Sequence, residues 1–234
     1  GIRAMHPATE KQALPLQLRQ LEQVVGWLEG EDLASQARGD LSGQLRCRRD
    51  KALLLVGFWR GFRGDELKRL QVEFVEVAHG QGMTCFLPRS KGDRQLLGRT
   101  FKVPALARLC PVTAYSVWIA QAQLTEGPVF RGIDRWGRLQ ETALHPNSLV
   151  PLLRRLFAQA GLQDAEAFSS HSLRRGFAHW ATANGWDIKT LMEYVGWRDV
   201  KSAMRYLDVA DPFASMPRMT ALGGPTSDTG DAPV

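Results

Sequence analysis

The sequence predicts a mainly α-helical domain with one small antiparallel β-sheet, an α+β fold. Over most of the chain, apolar residues recur at helical spacing, beginning with the stripe Leu18, Leu21, Val24, Val25 and Leu28. Between about residues 72 and 104 the pattern changes to short runs rich in Val, Phe and Thr, separated by glycine-containing turns. No internal repeat interrupts this order.

The N-terminal half should contain three helices and then the sheet. Helical spacing predicts helices over 15–28, 48–59 and 62–70, whereas the glycine-rich polar segment 29–44 is expected to be a loop with at most a short helix. Strands are expected over 72–77 and 83–87, with a further extended segment that ends at 103–104.

The C-terminal half should be mainly helical. The predicted helices cover 106–109, 112–122, 148–160, 172–183, 188–195 and 201–206. Asn147 is a plausible N-cap and Gly161 a plausible stop for the third of these, while 127–139 is rich in Gly, Pro and Arg and reads as a loop.

The charge balance favours a polyanionic partner. Lys and Arg number 30 against 24 Asp and Glu, a formal net charge of +6, and such a surface binds nucleic acid by releasing counterions from phosphates. No apolar run is long enough to span a bilayer, and the first residues do not resemble a secretory signal. The three cysteines show no paired spacing, so we expect a reducing compartment.

The histidines and carboxylates do not suggest a metal site. His171 and His179 are about 12 Å apart along one helix, too far to share an ion. Asp65 and Glu66 are adjacent rather than facing, a poor arrangement for two-metal catalysis. We therefore expect neither a metal nor a cofactor.

Two short motifs place a guanidinium beside a second functional group. Arg63 follows a glycine-bounded turn and has Glu66 three residues later on the same helix face, although a surface ion pair would give the same spacing. His171 and Arg174 are also three residues apart, at a predicted helix N-terminus, where free N–H groups favour an anion. Arg175 should point to the surface or to a DNA backbone.

The third segment contains Trp197 and Tyr206, with the tyrosine near the end of a short helix. A tyrosine considered alone is more often a packed aromatic residue than a nucleophile.

Basic residues occur in several clusters. Lys91 lies in a basic turn between two predicted strands, and Arg94 and Lys102 are the competing candidates for a functional cation in this region. Arginine-rich tracts (Arg46, Arg48 and Arg49; Arg131, Arg135 and Arg138; Arg154 and Arg155) should line DNA or the surface.

In their order, Arg63, Lys91, His171-x-x-Arg174, Trp197 and Tyr206 resemble the signature of the tyrosine recombinase (phage integrase) family. The resemblance runs from about residue 10 to 212. Gly196-Trp197 resembles the Cre-like branch, in which Trp replaces the more common second His. It implies the fold of the family's catalytic domain over 15–212. Residues 1–14 would then be a linker remnant from a missing N-terminal core-binding domain, and 213–234 a tail that is partly helical and then mobile.

The resemblance also implies a chemistry. Arg63 and Arg174 would clamp the scissile phosphate of double-stranded DNA, and Tyr206 would attack phosphorus to leave a 3′-phosphotyrosyl link. Lys91 would protonate the leaving 5′ oxygen.

The other site residues would assist these groups. His171 would act as a base or hydrogen-bond donor, and Trp197 would donate its indole N–H to a phosphate oxygen. Glu66 would orient Arg63 or His171, with Asp65 the weaker candidate.

The expected function is therefore site-specific DNA recombination or integration, by a tetramer on synapsed DNA with exchange of C-terminal tails and possible accessory proteins. A type IB topoisomerase or a telomere-resolving enzyme would share the phosphotyrosine step. A non-catalytic DNA-binding module of the same fold is the alternative outside catalysis.

Overall fold

The computed structural model describes residues 13–88, 98–197 and 199–207, and for residues 202 and 205–207 it describes the backbone only. Its helices and sheets confirm the predicted mainly helical α+β fold. The predicted linker lies mostly, and the predicted tail entirely, outside the described residues, so the domain boundaries remain predictions.

Eight α-helices occur in the described part of the chain. Their bounds are α1 Leu18–Ala37, α2 Leu41–Arg60, α3 Gly64–Arg69, α4 Pro111–Ala122, α5 Leu149–Gln159, α6 Ser170–Ala183, α7 Ile188–Val195 and α8 Val200–Leu207. The prediction over 188–195 matches α7, and Gly161 follows the end of α5 as expected.

The loop predicted over 29–44 is wrong, because α1 continues to Ala37 and α2 begins at Leu41. Ion pairs between the two helices, Lys51–Glu29 at 2.6 Å and Arg48–Asp32 at 3.1 Å, accompany the packing of α1 on α2. Tertiary packing thus outweighs the cost of about 1 kcal/mol for a glycine inside a helix. Asp40 caps α2, since its carboxylate accepts a hydrogen bond from the Gly43 N–H.

Three antiparallel strands form the main sheet: β1 Val75–Ala78, β2 Gly82–Leu87 and β3 Arg99–Pro104. Val77 pairs with Met83, and Met83 pairs in turn with Val103. The side chains of β2 and β3 alternate so that one face packs into the core (Met83, Cys85, Leu87, Phe101 and Val103). A short 3-10 turn over residues 72–74 replaces the start of the first predicted strand.

Three further predictions are corrected by the structure. Residues 127–139 contain β4 Arg131–Ile133, which pairs with β5 Leu139–Ala143, where a loop was expected. These strands lack apolar alternation, so the sequence pattern does not reveal them.

The helix expected over 106–109 is absent from the described residues, because Leu109 has a φ of +51° and Pro111 disfavours helical backbone just before it. A 3-10 turn at Pro146–Ser148 precedes α5, and its Asn147 N–H donates to the imidazole of His145, so Asn147 is not the N-cap.

Helix α2 lies at the centre of the core. It packs against α1, α4 and α6, and its residues from Ala52 to Phe58 are buried. The C-terminal end of α2 leads through Gly61 into the short helix α3, which starts with the Arg63 motif. The core therefore fixes one side of the candidate site.

Candidate active site

Arg63 and Glu66 form an ion pair at the start of α3. Nη1 of Arg63 lies 2.9 Å from Oε1 of Glu66, and Oε2 of the same carboxylate accepts the Arg63 backbone N–H at 2.7 Å. Glu66 is buried, whereas the Arg63 side chain is 36% exposed. The pair is therefore not an ordinary surface contact: a buried carboxylate holds one guanidinium at the solvent boundary.

Arg174 reaches the same carboxylate from α6. Its Nη1 lies 3.7 Å from Oε2 of Glu66 and donates to the Gly61 carbonyl at 2.6 Å, while Nη2 donates to the Val195 carbonyl at 3.2 Å. The side chain is only 1% exposed. Glu66 thus joins two arginines from distant parts of the chain, and within the described residues its ion-pair partners are these two guanidiniums rather than His171.

His171 lies in the first turn of α6, which Ser169 and Ser172 cap reciprocally. The Ser169 hydroxyl accepts from the His171 N–H at 3.2 Å, and the Ser172 hydroxyl accepts from the Ser169 N–H at 2.9 Å. Desolvation, followed by the positive charges of Arg174, Arg63 and Arg175, lowers the pKa of His171 below its ordinary 6.5. The lowered pKa favours the neutral imidazole over the imidazolium.

Trp197 packs beside Arg174, directly after α7. Its ring centroid lies 5.1 Å from the Arg174 guanidinium carbon, and the side chain is buried. Arg99, at the start of β3, donates to the carbonyls of Gly196 and Glu193, both at 3.3 Å. The start of β3, which follows the turn of Lys91 in the sequence, is thus anchored beside Trp197. This role was not anticipated from the sequence, and no sequence signal distinguishes Arg99 from the arginines of the basic turn before it.

Arg60 is a second residue that the sequence did not indicate. It is 4% exposed, and its guanidinium carbon lies 4.2 Å from the Tyr194 ring centroid and 4.8 Å from that of Phe101. Among the described residues, Nε and Nη1 of Arg60 have no hydrogen-bond partner. Burial lowers the pKa of this guanidinium to about 10. The cage joins α2, β3 and α7 around a buried cation.

The structure places Tyr206 in α8, which packs against α6 and α7. The backbone therefore brings the predicted nucleophile's helix onto the helix that carries His171 and Arg174. The other candidate, Tyr194, is partly buried, and its hydroxyl donates to the Trp59 carbonyl at 2.8 Å. Burial raises the pKa of Tyr194 to about 12. Lys91 lies outside the described residues, and the competing Lys102 is exposed on β3.

Several arginines expected at the surface are structural. Arg175 is buried, and so is Arg49, which pairs with the buried Asp50 at 2.7 Å; for both, the surface prediction is wrong. Arg48 pairs with Asp32, and Arg154 donates to the Phe168 carbonyl. Others of these arginines, among them Arg135, Arg138 and Arg155, are exposed.

The described residues contain no cluster of three or more His, Cys, Asp or Glu side chains that could hold a metal ion. Over the same residues, none of the helices is both long and apolar enough to cross a membrane.

A comparison with protein families identifies this arrangement. The model described as the phage integrase family matches residues 41–212, a span that begins at α2 and includes Arg63, His171, Arg174 and Trp197. The chain belongs to the phage integrase family. This confirms the family that the motifs predicted, while the assignment to a branch with Trp in place of His remains a prediction.

Relatives in this family have recombinase names. The chain is 36% identical over 167 residues to an integrase/recombinase xerD homolog of Selenomonas ruminantium, covering 70% of this chain and 48% of that protein. It is 29% identical over 211 residues to the tyrosine recombinase XerD of Mycobacterium leprae, covering 87% of this chain and 60% of the relative. The chain therefore spans about half to three fifths of these relatives.

Solved recombinase structures share the fold. The XerA recombinase superposes with a TM-score of 0.62 at 17% identity, covering 88% of this chain and 62% of that one. The XerH site-specific recombinase bound to its difH substrate gives a TM-score of 0.58 at 19% identity, covering 84% of this chain and 51% of the other. At these identities the likeness shows the fold of the domain alone.

Proposed function

We propose that this chain is the catalytic domain of a site-specific tyrosine recombinase, which cuts and rejoins double-stranded DNA. The ion-pair network that joins Arg63, Glu66 and Arg174 carries the proposal. It gathers two guanidiniums near an imidazole whose pKa is lowered, and the tyrosine helix α8 packs against α6, which carries Arg174 and His171. A phosphodiester needs this concentration of positive charge before a hydroxyl group can attack it.

Two arginines, one exposed and one buried, would balance the negative charge on the reacting phosphate. Arg63 faces solvent and can donate directly to a non-bridging oxygen, while its pairing with Glu66 limits its orientations. Arg174 is buried, so its charge acts in a region of low dielectric constant and is screened less than a surface cation. The Trp197 ring packs beside the Arg174 guanidinium, and its indole N–H would be a further hydrogen-bond donor to the phosphate.

The reaction would exchange one phosphodiester bond for another. The Tyr206 oxygen bonds to phosphorus as the bond from phosphorus to the 5′ oxygen breaks, which leaves a 3′-phosphotyrosyl link and a 5′-hydroxyl. His171, kept neutral by its surroundings, would accept the phenol proton. Lys91 would supply the proton to the leaving oxygen. Attack by a 5′-hydroxyl of a partner strand reverses these steps and releases the tyrosine, so the bond energy is conserved.

A nicked suicide substrate tests the nucleophile. A randomised pool of nicked duplexes is incubated with the chain, and covalent adducts are separated by denaturing electrophoresis. Wild type and Tyr194→Phe should form the adduct, because the Tyr194 hydroxyl is engaged with the Trp59 carbonyl. Tyr206→Phe should form none. An adduct that persists in Tyr206→Phe and vanishes in Tyr194→Phe would reject the assignment.

The remaining expectations rest on the same family relationship. Because the chain spans about half to three fifths of the relatives named above, we propose that a core-binding domain supplies further DNA contacts, that a tetramer forms on synapsed DNA, and that the enzyme works on cytoplasmic, nucleoid DNA. Topoisomerase-like relaxation and telomere resolution are less favoured, since the relatives named above are recombinases. A supercoiled plasmid without a second site separates the reactions: relaxation in the absence of strand exchange would favour a topoisomerase.

A further inference from the structure

The tip of the β4–β5 hairpin, defined here as Asp134–Arg138 and called the hairpin tip, presents an exposed tryptophan. Trp136 is 67% exposed, although large aromatic side chains normally bury most of their surface. The other tryptophans that the structure describes are buried or partly buried. An exposed indole of this kind is characteristic of a binding site rather than of a folding core.

The hairpin tip is held rigidly by its own hydrogen bonds. Oδ1 of Asp134 accepts the Trp136 N–H at 2.8 Å and the Arg138 N–H at 2.9 Å. The Asp134 N–H donates to the Arg138 carbonyl at 3.0 Å, and the Gly137 N–H donates to the Asp134 carbonyl at 3.1 Å. The tryptophan is therefore presented by an ordered turn, which reduces the entropy cost of binding.

The hairpin tip is also fastened to the N-terminal end of α2. Nη2 of Arg46 donates to the Asp134 carbonyl at 2.7 Å. Gly137, at a φ of +83°, lies so close to Ser42 that any side chain there would overlap it. The tip is therefore anchored to α2, the helix at the centre of the core.

The charge of the hairpin tip selects a polyanion. The Arg135 guanidinium carbon lies 4.1 Å from the Trp136 ring centroid, and both Arg135 and Arg138 are exposed. Asp134 is the one carboxylate of the tip, and its Oδ1 is engaged by backbone N–H groups. An exposed indole with one guanidinium stacked on it and a second exposed guanidinium in the same turn matches a duplex, which offers sugar and base surfaces close to phosphates.

We propose that the hairpin tip is a DNA-contact site separate from the cleavage site, with Arg135 and Arg138 on phosphates and Trp136 against the sugar–base surface of a groove. This rests on the proposed function, since DNA is the partner in both. Helix α2 has 20 residues, so the tip at its start lies on the order of 30 Å from Arg63 beyond its end. That distance corresponds to about 9 base pairs along a duplex.

The test measures DNA affinity against salt concentration. A fluorescent duplex of roughly 40 base pairs is titrated with the 234-residue chain between about 50 and 200 mM salt. Replacing both arginines (Arg135→Gln with Arg138→Gln) should weaken binding and reduce the slope of log K against log salt by about 1 to 2, as expected for the loss of one or two phosphate contacts. Trp136→Ala should weaken binding about 5- to 20-fold while the slope stays unchanged, because stacking is not ionic.

A matched control removes the same charge from another face. Arg19, in the first turn of α1, and Arg108, which pairs with Glu22 of the same helix, are exposed and lie away from the start of α2, so the pair Arg19→Gln with Arg108→Gln should keep the wild-type slope. Circular dichroism and a thermal melt establish that each variant is folded, which is expected for substitutions of exposed side chains.

The proposal is overturned if the hairpin-tip variants bind DNA like wild type. It is also overturned if Trp136→Ala changes only self-association, measured by analytical ultracentrifugation, since the tip would then contact protein. These outcomes are distinct from failure of the proposed function. A chain that binds DNA through the hairpin tip but forms no adduct through Tyr206 would retain the contact site and lose the recombinase assignment.

Discussion

Glu66 and Arg174 belong to different helices, α3 and α6, and meet in the core with Oε2 of the carboxylate 3.7 Å from Nη1 of the guanidinium. Both side chains are almost fully buried. The other oxygen of Glu66 holds Arg63 at the solvent boundary. One carboxylate therefore compensates two cations and fixes the distance between them.

Glu66→Gln should weaken both stability and catalysis. The amide keeps the size of the side chain but leaves the buried Arg174 without its carboxylate, so the free energy of unfolding should fall by about 2–4 kcal/mol. Misplaced guanidiniums should slow formation of the covalent adduct by about 100-fold. Urea denaturation and single-turnover cleavage measure the two effects.

Asp65→Asn is the matched control for this change. Asp65 is 52% exposed and lies 3.5 Å from Arg69, a surface ion pair. Its loss should alter the free energy of unfolding by no more than about 0.5 kcal/mol. Equal effects at Asp65 and Glu66 would contradict the role given to the buried carboxylate.

His171 should titrate below its ordinary pKa of 6.5, because desolvation and the three neighbouring arginines disfavour the imidazolium. A histidine pKa that is lower in the folded state than in the unfolded state makes the unfolded state bind protons more readily. The stability due to His171 is thus complete above pH 6.5 and is lost as pH falls through the folded-state pKa. Two-dimensional NMR of the imidazole gives the pKa directly.

Removing one of the neighbouring charges supplies the control. Arg63→Gln should raise the pKa of His171 toward 6.5, whereas Arg19→Gln on α1 should leave it unchanged. A His171 pKa that does not respond to Arg63→Gln would show that this guanidinium contributes little to the electrostatics of the site.

Arg60→Met should leave the free energy of unfolding at pH 7 unchanged or raise it by up to about 2 kcal/mol, because a buried cation often costs more than an apolar side chain of similar volume. Burial lowers the pKa of Arg60 to about 10, so the penalty of its charge is complete below pH 10 and disappears as the pH rises toward the higher pKa of the unfolded state. Chemical denaturation checks the prediction.

Arg60→Lys is the comparison for this substitution. It retains a charge but not the planar group that stacks on Tyr194 and Phe101, so it should be the less stable variant. The reverse order of stability, with Met below Lys, would mean that the charge of Arg60 stabilises the fold.

Gly196→Ala should be destabilising by about 1–2 kcal/mol and should impair cleavage. Gly196 has a φ of +81°, and an added Cβ would overlap the guanidinium of Arg99, which holds this turn beside Trp197. Gly185→Ala has the same φ of +81° with open space around it, so it carries the backbone cost without the clash. Thermal melts of the two variants isolate the contribution of Arg99. Similar losses in both would show that the Arg99 contact is unimportant.

The sequence by itself determined the class of fold, most of the helices and the family. These follow from local rules: apolar spacing marks a helix, a glycine ends it, and the order of Arg63, His171, Arg174, Trp197 and Tyr206 is readable without coordinates. The predictions failed where the local preference for helix or strand was weak. Examples are the continuation of α1 through a glycine and the short pairing of β4 with β5.

Only the tertiary structure decided what each charged residue does. The charges of Arg49, Arg63, Arg135, Arg174 and Arg175 look alike in a sequence, but burial and partner distances differ for each. The contact of Glu66 with Arg174 and the cage around Arg60 join segments that are distant in the chain. Such contacts depend on how helices and strands pack together, and no local pattern encodes that packing.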